Sequence, residues 1–342
     1  MARTIRWGMI GCGEVAQQKS GPGFLRARDS TLVAVADRNG ERAQAFAAKH
    51  DVPRSHVDAQ AVIAAPDVDA VYVATRTDSH CDYVLRCAAA GKPVLVEKPA
   101  AMSHAQCLHM IDACAKAKVP LWVAYYRRAL PRFLKLRELV DGGAIGKVHM
   151  VTMRHHHVVP SLEVMRGPFW SWRLDPVQSG GGIFFEAVGH TLDILDLVFG
   201  PIAEVRAFAA NQAGAYPAED VVAASFRFAS GVCGSGSWCF TTDWDDEYNE
   251  IVGSEGRIRY STFPPLSPPS GRPPDPIRIY RGDKVEEVAV ADPPFVHEPL
   301  IQTIVDEMNG HGRCPSDGAS AARTAWVIDE VLGEFRAGVG KR

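Results

Sequence analysis

Ile5-Arg6-Trp7-Gly8-Met9-Ile10-Gly11-Cys12-Gly13-Glu14-Val15-Ala16 is the stretch that decides the fold. Its first half is a mainly apolar run of strand length, and its second half fits Gly-x-Gly-x-x-Ala at the start of a helix. Gly11 allows the tight turn. Gly13 lets the backbone approach a pyrophosphate, which then rests on the free N–H groups of the helix start. Cys12, Glu14 and Val15 complete this candidate dinucleotide turn. The motif gains weight from Asp37, which closes the next apolar run about 25 residues downstream. A carboxylate there accepts hydrogen bonds from both ribose hydroxyls and repels a 2'-phosphate, which favours NAD. Arg38 beside it leaves NADP open, because a guanidinium pairs with such a phosphate.

Outward from this turn, apolar runs recur at 32–36, 70–74, 93–96 and 121–124, separated by helix-period segments at 41–49, 79–90 and 103–117. Strands alternating with helices specify an α/β, doubly wound parallel sheet of the Rossmann type, expected over residues 1–124. The segment Lys19-Ser20-Gly21-Pro22-Gly23 is expected to break the first helix, with a restart near Phe24. Beyond Pro131 the rhythm changes. A helix at 133–141, a strand-like run at 147–157, a Trp-rich loop, a glycine run, a helix at 183–199 and alternating strands at 204–209 and 221–228 follow. This predicts an α+β second domain over 125–342 with a mostly antiparallel open sheet. The seven prolines of 263–276 predict a loop, and the last helix, 319–336, is expected to pack back on the first domain.

The chain has 342 residues, 46% of them hydrophobic and 23% charged, which is enough apolar content for two packed cores. With Lys plus Arg at 37 against 40 for Asp plus Glu, there is no basic field for nucleic acid. Apolar runs are too short to span a membrane, and glycines interrupt any signal-peptide core at the N-terminus. The eight cysteines include no Cys-x-x-Cys pair; Cys12, Cys81, Cys87, Cys107 and Cys114 are read as small buried hydrophobes, and the reducing cytoplasm is the expected compartment.

Two further elements carry chemistry. Val96-Glu97-Lys98-Pro99 ends a parallel strand, where ligands bind in such sheets, so Lys98 is placed to meet a substrate oxygen and Glu97 lies beside the cofactor. The helix after Gly180-Gly181-Gly182 is almost wholly apolar except for Glu186, His190 and Asp193, spaced to share one face. Burying three ionisable groups is costly unless they pair or face a wet cleft. Tyr126, just past the last strand of the first domain, is expected near the nicotinamide. Trp170, Trp172 and Arg173 precede the glycine run, and aromatic faces stack on the C–H faces of sugar rings; ordinary packing is the other reading for each tryptophan. In His155-His156-His157, a strand would send His155 and His157 to one side and His156 to the other. That is no zinc pattern, so no metal is predicted; plain sheet packing is the first reading of these histidines, and His155 is also taken as a candidate substrate contact.

The Gly11-Cys12-Gly13 turn, Glu97-Lys98-Pro99, Arg127-Arg128, the Gly180-Gly181-Gly182 run and the Glu186, His190, Asp193 helix, in this order, resemble the Gfo/Idh/MocA family (glucose-fructose oxidoreductase, inositol dehydrogenase, rhizopine catabolism). The resemblance covers essentially the whole chain. It implies that Lys98 and His190 are catalytic, and that the open sheet serves substrate binding and often dimer contacts, hence a homodimer or homotetramer. Glu186 stands where the family usually has aspartate, one methylene shorter. His80, in Thr75-Arg76-Thr77-Asp78-Ser79-His80, matches a histidine beside the cofactor, with Thr75 placed there too; Arg76 stands where many relatives have proline. The expected activity is NAD(P)-dependent hydride transfer between nicotinamide and a secondary hydroxyl or ketone of a sugar, polyol or sugar derivative. His190 would move the hydroxyl proton and cationic Lys98 would stabilise the alkoxide. The alternatives are a redox-neutral glycosidase working by oxidation, elimination and reduction, and a non-catalytic dinucleotide-binding regulator.

Overall fold

A computed structural model describes residues 2–263 and 275–338. The proline-rich loop expected at 263–276 therefore lies, for the most part, outside the described residues. The chain forms two compact units. The first comprises Met1–Leu130 and Pro293–Ala322, and the second Pro131–Asp292 and Arg323–Arg342.

The first unit is built on six parallel strands: β1 (Ile5–Ile10), β2 (Ser30–Ala36), β3 (Ser55–His56), β4 (Ala70–Val73), β5 (Val94–Val96) and β6 (Leu121–Val123), in the order β3-β2-β1-β4-β5-β6. The strand order reverses between β1 and β4, and the crevice above such a switch point is where doubly wound sheets bind ligands. Parallel strands covered on both faces should be apolar throughout, and β4 and β5 are buried at every position. Only β3 went unread from the pattern, because two residues show no periodicity. The first helix is not broken. A π-helical turn, Ala16–Ser20, runs directly into the helix Gly21–Arg26. The Gly21 N–H reaches back five residues to the Ala16 carbonyl, so the wider turn absorbs Pro22 without a restart at Phe24. A Cβ at Gly21 would lie 2.6 Å from that carbonyl oxygen.

The second unit carries, among the described residues, eight strands: β7 (Val148–Val158), β8 (Ile202–Ala210), β9 (Val221–Phe228), β10 (Cys233–Thr242), β11 (Asp246–Gly253), β12 (Arg257–Tyr260), β13 (Ile277–Arg281) and β14 (Lys284–Val288). Their order is β14-β13-β12-β11-β7-β10-β9-β8, and only the central β7–β10 pair is parallel. One face alternates inward as the period of two requires: Val222, Phe226 and Phe228 on β9 and Trp238 and Phe240 on β10 are buried. Against it lies the apolar helix Gly189–Phe199, preceded by a π-helical turn at Phe184–Val188. Phe184 meets Trp238 edge-on at 5.1 Å, and Phe199 packs on Phe228 at 5.2 Å.

All eight cysteines are free thiols. Cys12, Cys87, Cys107 and Cys114 are buried as expected, but Cys81 is only half-buried at the start of its helix. Among the described residues no helix is long and apolar enough to cross a membrane.

Gly8 tests the packing of the first sheet. A Cβ there would lie 2.4 Å from Val62 Cγ1 and 3.1 Å from Val68 Cγ1, both on stiff side chains. Gly8→Ala is expected to lower stability by about 1–3 kcal/mol, read as a lower denaturant midpoint; an unchanged midpoint would contradict this packing.

Candidate active site

At the glycine turn, Gly11 has φ +97 and a Cβ there would sit 2.5 Å from the Ala74 carbonyl oxygen, so β1 and the end of β4 approach too closely for any other residue. A Cβ on Gly13 would meet nothing within 4 Å. That open cradle over a helix start fits a pyrophosphate. Cys12 is buried, and its thiol is pushed up to about 12 by burial and then by Asp37, so it is inert. Glu14 is exposed, Val15 is half-buried, and Glu14 accepts from Gln18 one turn on.

Asp37 is almost fully used. Oδ2 accepts from the Cys12 N–H at 2.9 Å and Arg42 Nε at 2.9 Å; Oδ1 accepts from the Asn39 N–H at 2.9 Å and Arg42 Nη2 at 2.8 Å. Burial pushes the Asp37 carboxyl up, but Arg42 and the two backbone donors hold it below the usual carboxylate range. Four donors fill the carboxylate's lone pairs, and Arg42, which supplies two of them, is half-exposed. Arg38 is exposed. The sequence reading missed Arg42, although its spacing of five from Asp37 over a helix N-terminus was legible.

Lys98 follows β5, in a cis peptide bond with Pro99. Its surroundings are unusually well fixed. His80, fully buried, places Nδ1 2.9 Å from the Pro99 carbonyl and Nε2 3.0 Å from the Thr75 carbonyl, so it clasps the turn carrying Lys98 to the loop after β4. The Thr75 hydroxyl accepts from Ser79 at 2.8 Å. Glu97 points the other way. Its Oε1 accepts from Tyr72 Oη at 2.6 Å and its Oε2 from the Lys98 N–H at 3.0 Å. Burial raises the Glu97 carboxyl, while Tyr72, Lys98 and Lys19 oppose that rise. His297, from the helix start 200 residues away, closes the cluster with Nδ1 3.8 Å from Glu97 Oε1 and its ring stacked at 4.5 Å on buried Tyr126. Burial, then the charges of Lys19, Arg127 and Lys98, push the imidazole down to about 3, so it is neutral and its contact with Glu97 is no ion pair. No local signal in the sequence ties His297 to Glu97.

In the second unit, Glu186 and His190 are brought together on one buried stretch, at 8% and 6% exposure. Asp193 is buried as well. The π-helical turn means their spacing is not that of a simple α-helix. Arg173 lies with its guanidinium 4.0 Å from the Phe169 ring and 4.3 Å from the Trp172 ring, and Nε 3.6 Å from Glu186 Oε2. Trp172 therefore holds Arg173 on Glu186, while half-buried Trp170 meets Phe169 edge-on at 5.3 Å. On β7, His155 packs on Phe240 and at 5.0 Å on Phe263, and Phe263 in turn meets His190 at 6.2 Å. Burial, then His157, pushes His155 down to about 4, so it is a neutral ring at the edge of the His190 cluster. His157 pairs with Asp245 at 2.5 Å on the same side, while His156 turns to Trp244 on the other. Among the described residues no group of three or more His, Cys, Asp or Glu forms a metal cluster.

A parallel sheet with a glycine turn and an acidic residue just after β2, in a chain whose second unit has an open antiparallel sheet, defines a class of NAD-binding oxidoreductases. Residues 5–125 match the model of the oxidoreductase family with the NAD-binding Rossmann fold, and residues 133–259 match the GFO/IDH/MocA C-terminal domain. The chain belongs to the Gfo/Idh/MocA family. It is 31% identical to Oxidoreductase P35 of Formosa agariphila over 338 residues, covering 97% of this chain and 100% of that one. It is 28% identical to 1,5-anhydro-D-fructose reductase of Ensifer adhaerens, covering 92% and 91%. The fold matches the aldose-aldose oxidoreductase of Caulobacter crescentus complexed with glycerol at a TM-score of 0.83 and 23% identity, over 98% of each chain.

His297 sets a pH dependence. Unfolded, its imidazole titrates near 6.5; folded, it stays neutral to about 3, so the stability it contributes is complete above 6.5 and lost as pH falls through that window. Urea unfolding at pH 7 and pH 5 is expected to show wild type losing about 1–2 kcal/mol more than His297→Phe, which keeps the stack on Tyr126. Equal losses would contradict the buried neutral ring.

Proposed function

We propose that the protein moves a hydride between a nicotinamide dinucleotide and a secondary hydroxyl, or the matching ketone, of a sugar, polyol or sugar derivative. The observation that carries this reading is the buried Glu186 and His190 on one glycine-led helix, with Arg173 held on Glu186. Ionisable groups are not buried in an apolar helix for packing alone.

When bound, the nicotinamide supplies the hydride acceptor or donor; proton handling and charge belong to the chain. His190 takes the hydroxyl proton during oxidation and returns it during reduction, a task suited to an imidazole near neutral pH. Lys98 offers a cation to the oxygen as negative charge develops on it. Its backbone is fixed from both sides, by Glu97 through the Lys98 N–H and by His80 through the Pro99 carbonyl. Glu186 and Arg173 together present an acceptor and donors to a neighbouring hydroxyl, and His155 adds a neutral polar edge. Glu186 reaches one methylene further than the family's usual aspartate, which favours a hydroxyl set slightly back from the reacting carbon. Asp37, kept ionised, repels a 2'-phosphate and supports NAD over NADP.

The test is reduced-nicotinamide absorbance on mixing the protein with NAD or NADP and a panel of myo-inositol, D-glucose, other polyols and glycosides, and in reverse with 1,5-anhydro-D-fructose. Turnover with one cofactor that falls by about 100-fold or more in both Lys98→Ala and His190→Ala is expected. Aglycone release without accumulating reduced cofactor would favour the redox-neutral glycosidase instead. Tight dinucleotide binding with no turnover on any panel member would favour the regulator.

A further inference from the structure

Glu219 lies at the entry to β9 with no solvent exposure at all. Its Oε1 accepts the Gly182 N–H at 2.7 Å and the Phe185 N–H at 3.3 Å. These are two of the donors that the start of a helix leaves without an intrahelical partner. The glycine run is shaped to this contact: a Cβ at Gly181 would lie 2.5 Å from Phe185 Cβ and 3.2 Å from Glu219 Oε1. One at Gly182 would lie 2.7 Å from Ala218 Cβ and 3.3 Å from the same oxygen. A side chain at 181 or 182 would thus collide with Phe185 or Ala218 and crowd the carboxylate. Burial raises the Glu219 carboxyl to about 6, with the Gly182 and Phe185 N–H groups and the Arg336 charge working against the rise. Arg336 lies over the Phe185 ring at 5.3 Å. Tyr216, Asp220 and Cys239 are further titratable groups at this corner, and Asp220 is committed to the Gln212 and Ala213 N–H groups.

A buried carboxylate is an expensive way to cap a helix, since a surface Ser or Asp does so for about 1 kcal/mol without desolvation. What it achieves here is rigidity at one point. The first residues it grips are one to four positions before Glu186 and within two turns of His190. We infer that Glu219 is a positioning residue for the reaction: it anchors the glycine-led start of the helix, and so fixes where Glu186 and His190 are presented. This inference rests on the roles proposed above for Glu186 and His190.

Two measurements test it. The first is independent of turnover: deuterium exchange of the wild-type protein, read by mass spectrometry on peptides covering 181–190. Gly182 and Phe185 amides exchanging at least 100-fold more slowly than unprotected amides support the anchor, and free exchange overturns it. The second compares Glu219→Gln with Glu219→Ala, using the fastest substrate of the panel above. The glutamine oxygen still accepts both N–H groups, so kcat is expected within about threefold of wild type. In Glu219→Ala kcat is expected to fall at least tenfold with KM and dinucleotide Kd within twofold, and the 181–190 peptide to exchange at least tenfold faster. Equal loss of kcat in both variants, or no loss in Glu219→Ala, overturns the proposal. If Glu219→Ala fails to fold, a Glu219→Gln protein with tenfold lower kcat overturns it, and retained kcat with a slow-exchanging peptide supports it. If His190→Ala leaves turnover intact while exchange shows the anchor, the proposed role of His190 fails and the anchoring stands.

Discussion

In each unit a carboxylate with almost no solvent contact accepts the backbone N–H of a glycine-turn residue: Asp37 from Cys12 at 2.9 Å, and Glu219 from Gly182 at 2.7 Å. The helix start that follows such a turn has donors in need of acceptors, and the glycines give it the freedom to sit close against another chain segment. In the first unit the closeness is to the Ala74 carbonyl, and the space beside Gly13 stays open. In the second it is to Phe185 and to the Ala218–Glu219 segment, and the helix that emerges carries Glu186 and His190. The two turns solve the same packing problem with opposite consequences. At one a Cβ on Gly13 would meet nothing within 4 Å, and at the other a carboxylate caps the helix start.

Around Lys98 the organisation is electrostatic. A single buried carboxylate, Glu97, sits among Lys19, Lys98 and the phenol of Tyr72, and the neighbouring His297 is kept neutral by burial and then by Lys19, Arg127 and Lys98. The stack of His297 on Tyr126 then shapes the wall beside the strand end without adding charge to it. His80 completes the arrangement from the opposite side by bridging two carbonyl oxygens. The backbone at Lys98 is therefore held at two adjoining points, the Lys98 N–H and the Pro99 carbonyl.

The parallel sheet was legible because β1, β2, β4, β5 and β6 are near-continuous apolar runs, and β3 was not because two residues carry no period. The antiparallel sheet was legible in the alternation of β8 and β9. The first helix was misread at Pro22, since a proline does not announce that a five-residue reach from Gly21 to Ala16 will accommodate it. Motifs with fixed spacing, such as Glu97-Lys98-Pro99 and the Glu186 and His190 pair, were visible as local strings. Arg173 was flagged only with its aromatic neighbours, and its contact with Glu186 depends on a sandwich that sequence does not reveal. His297 and Glu219 escaped entirely. Each acts across a long stretch of chain on a buried partner, and only the packed structure brings them there.

The most direct test of the central claim follows one atom. Reduced NAD carrying deuterium at the nicotinamide C4 would be incubated with the protein and a panel of ketoses and inosose-type ketones, and the products analysed by mass spectrometry and proton NMR. The account predicts deuterium on the carbon that bears the newly formed hydroxyl, with the label lost from the cofactor in equal amount. A protein that binds the dinucleotide yet leaves the label on the nicotinamide, with every ketone unchanged, would contradict it.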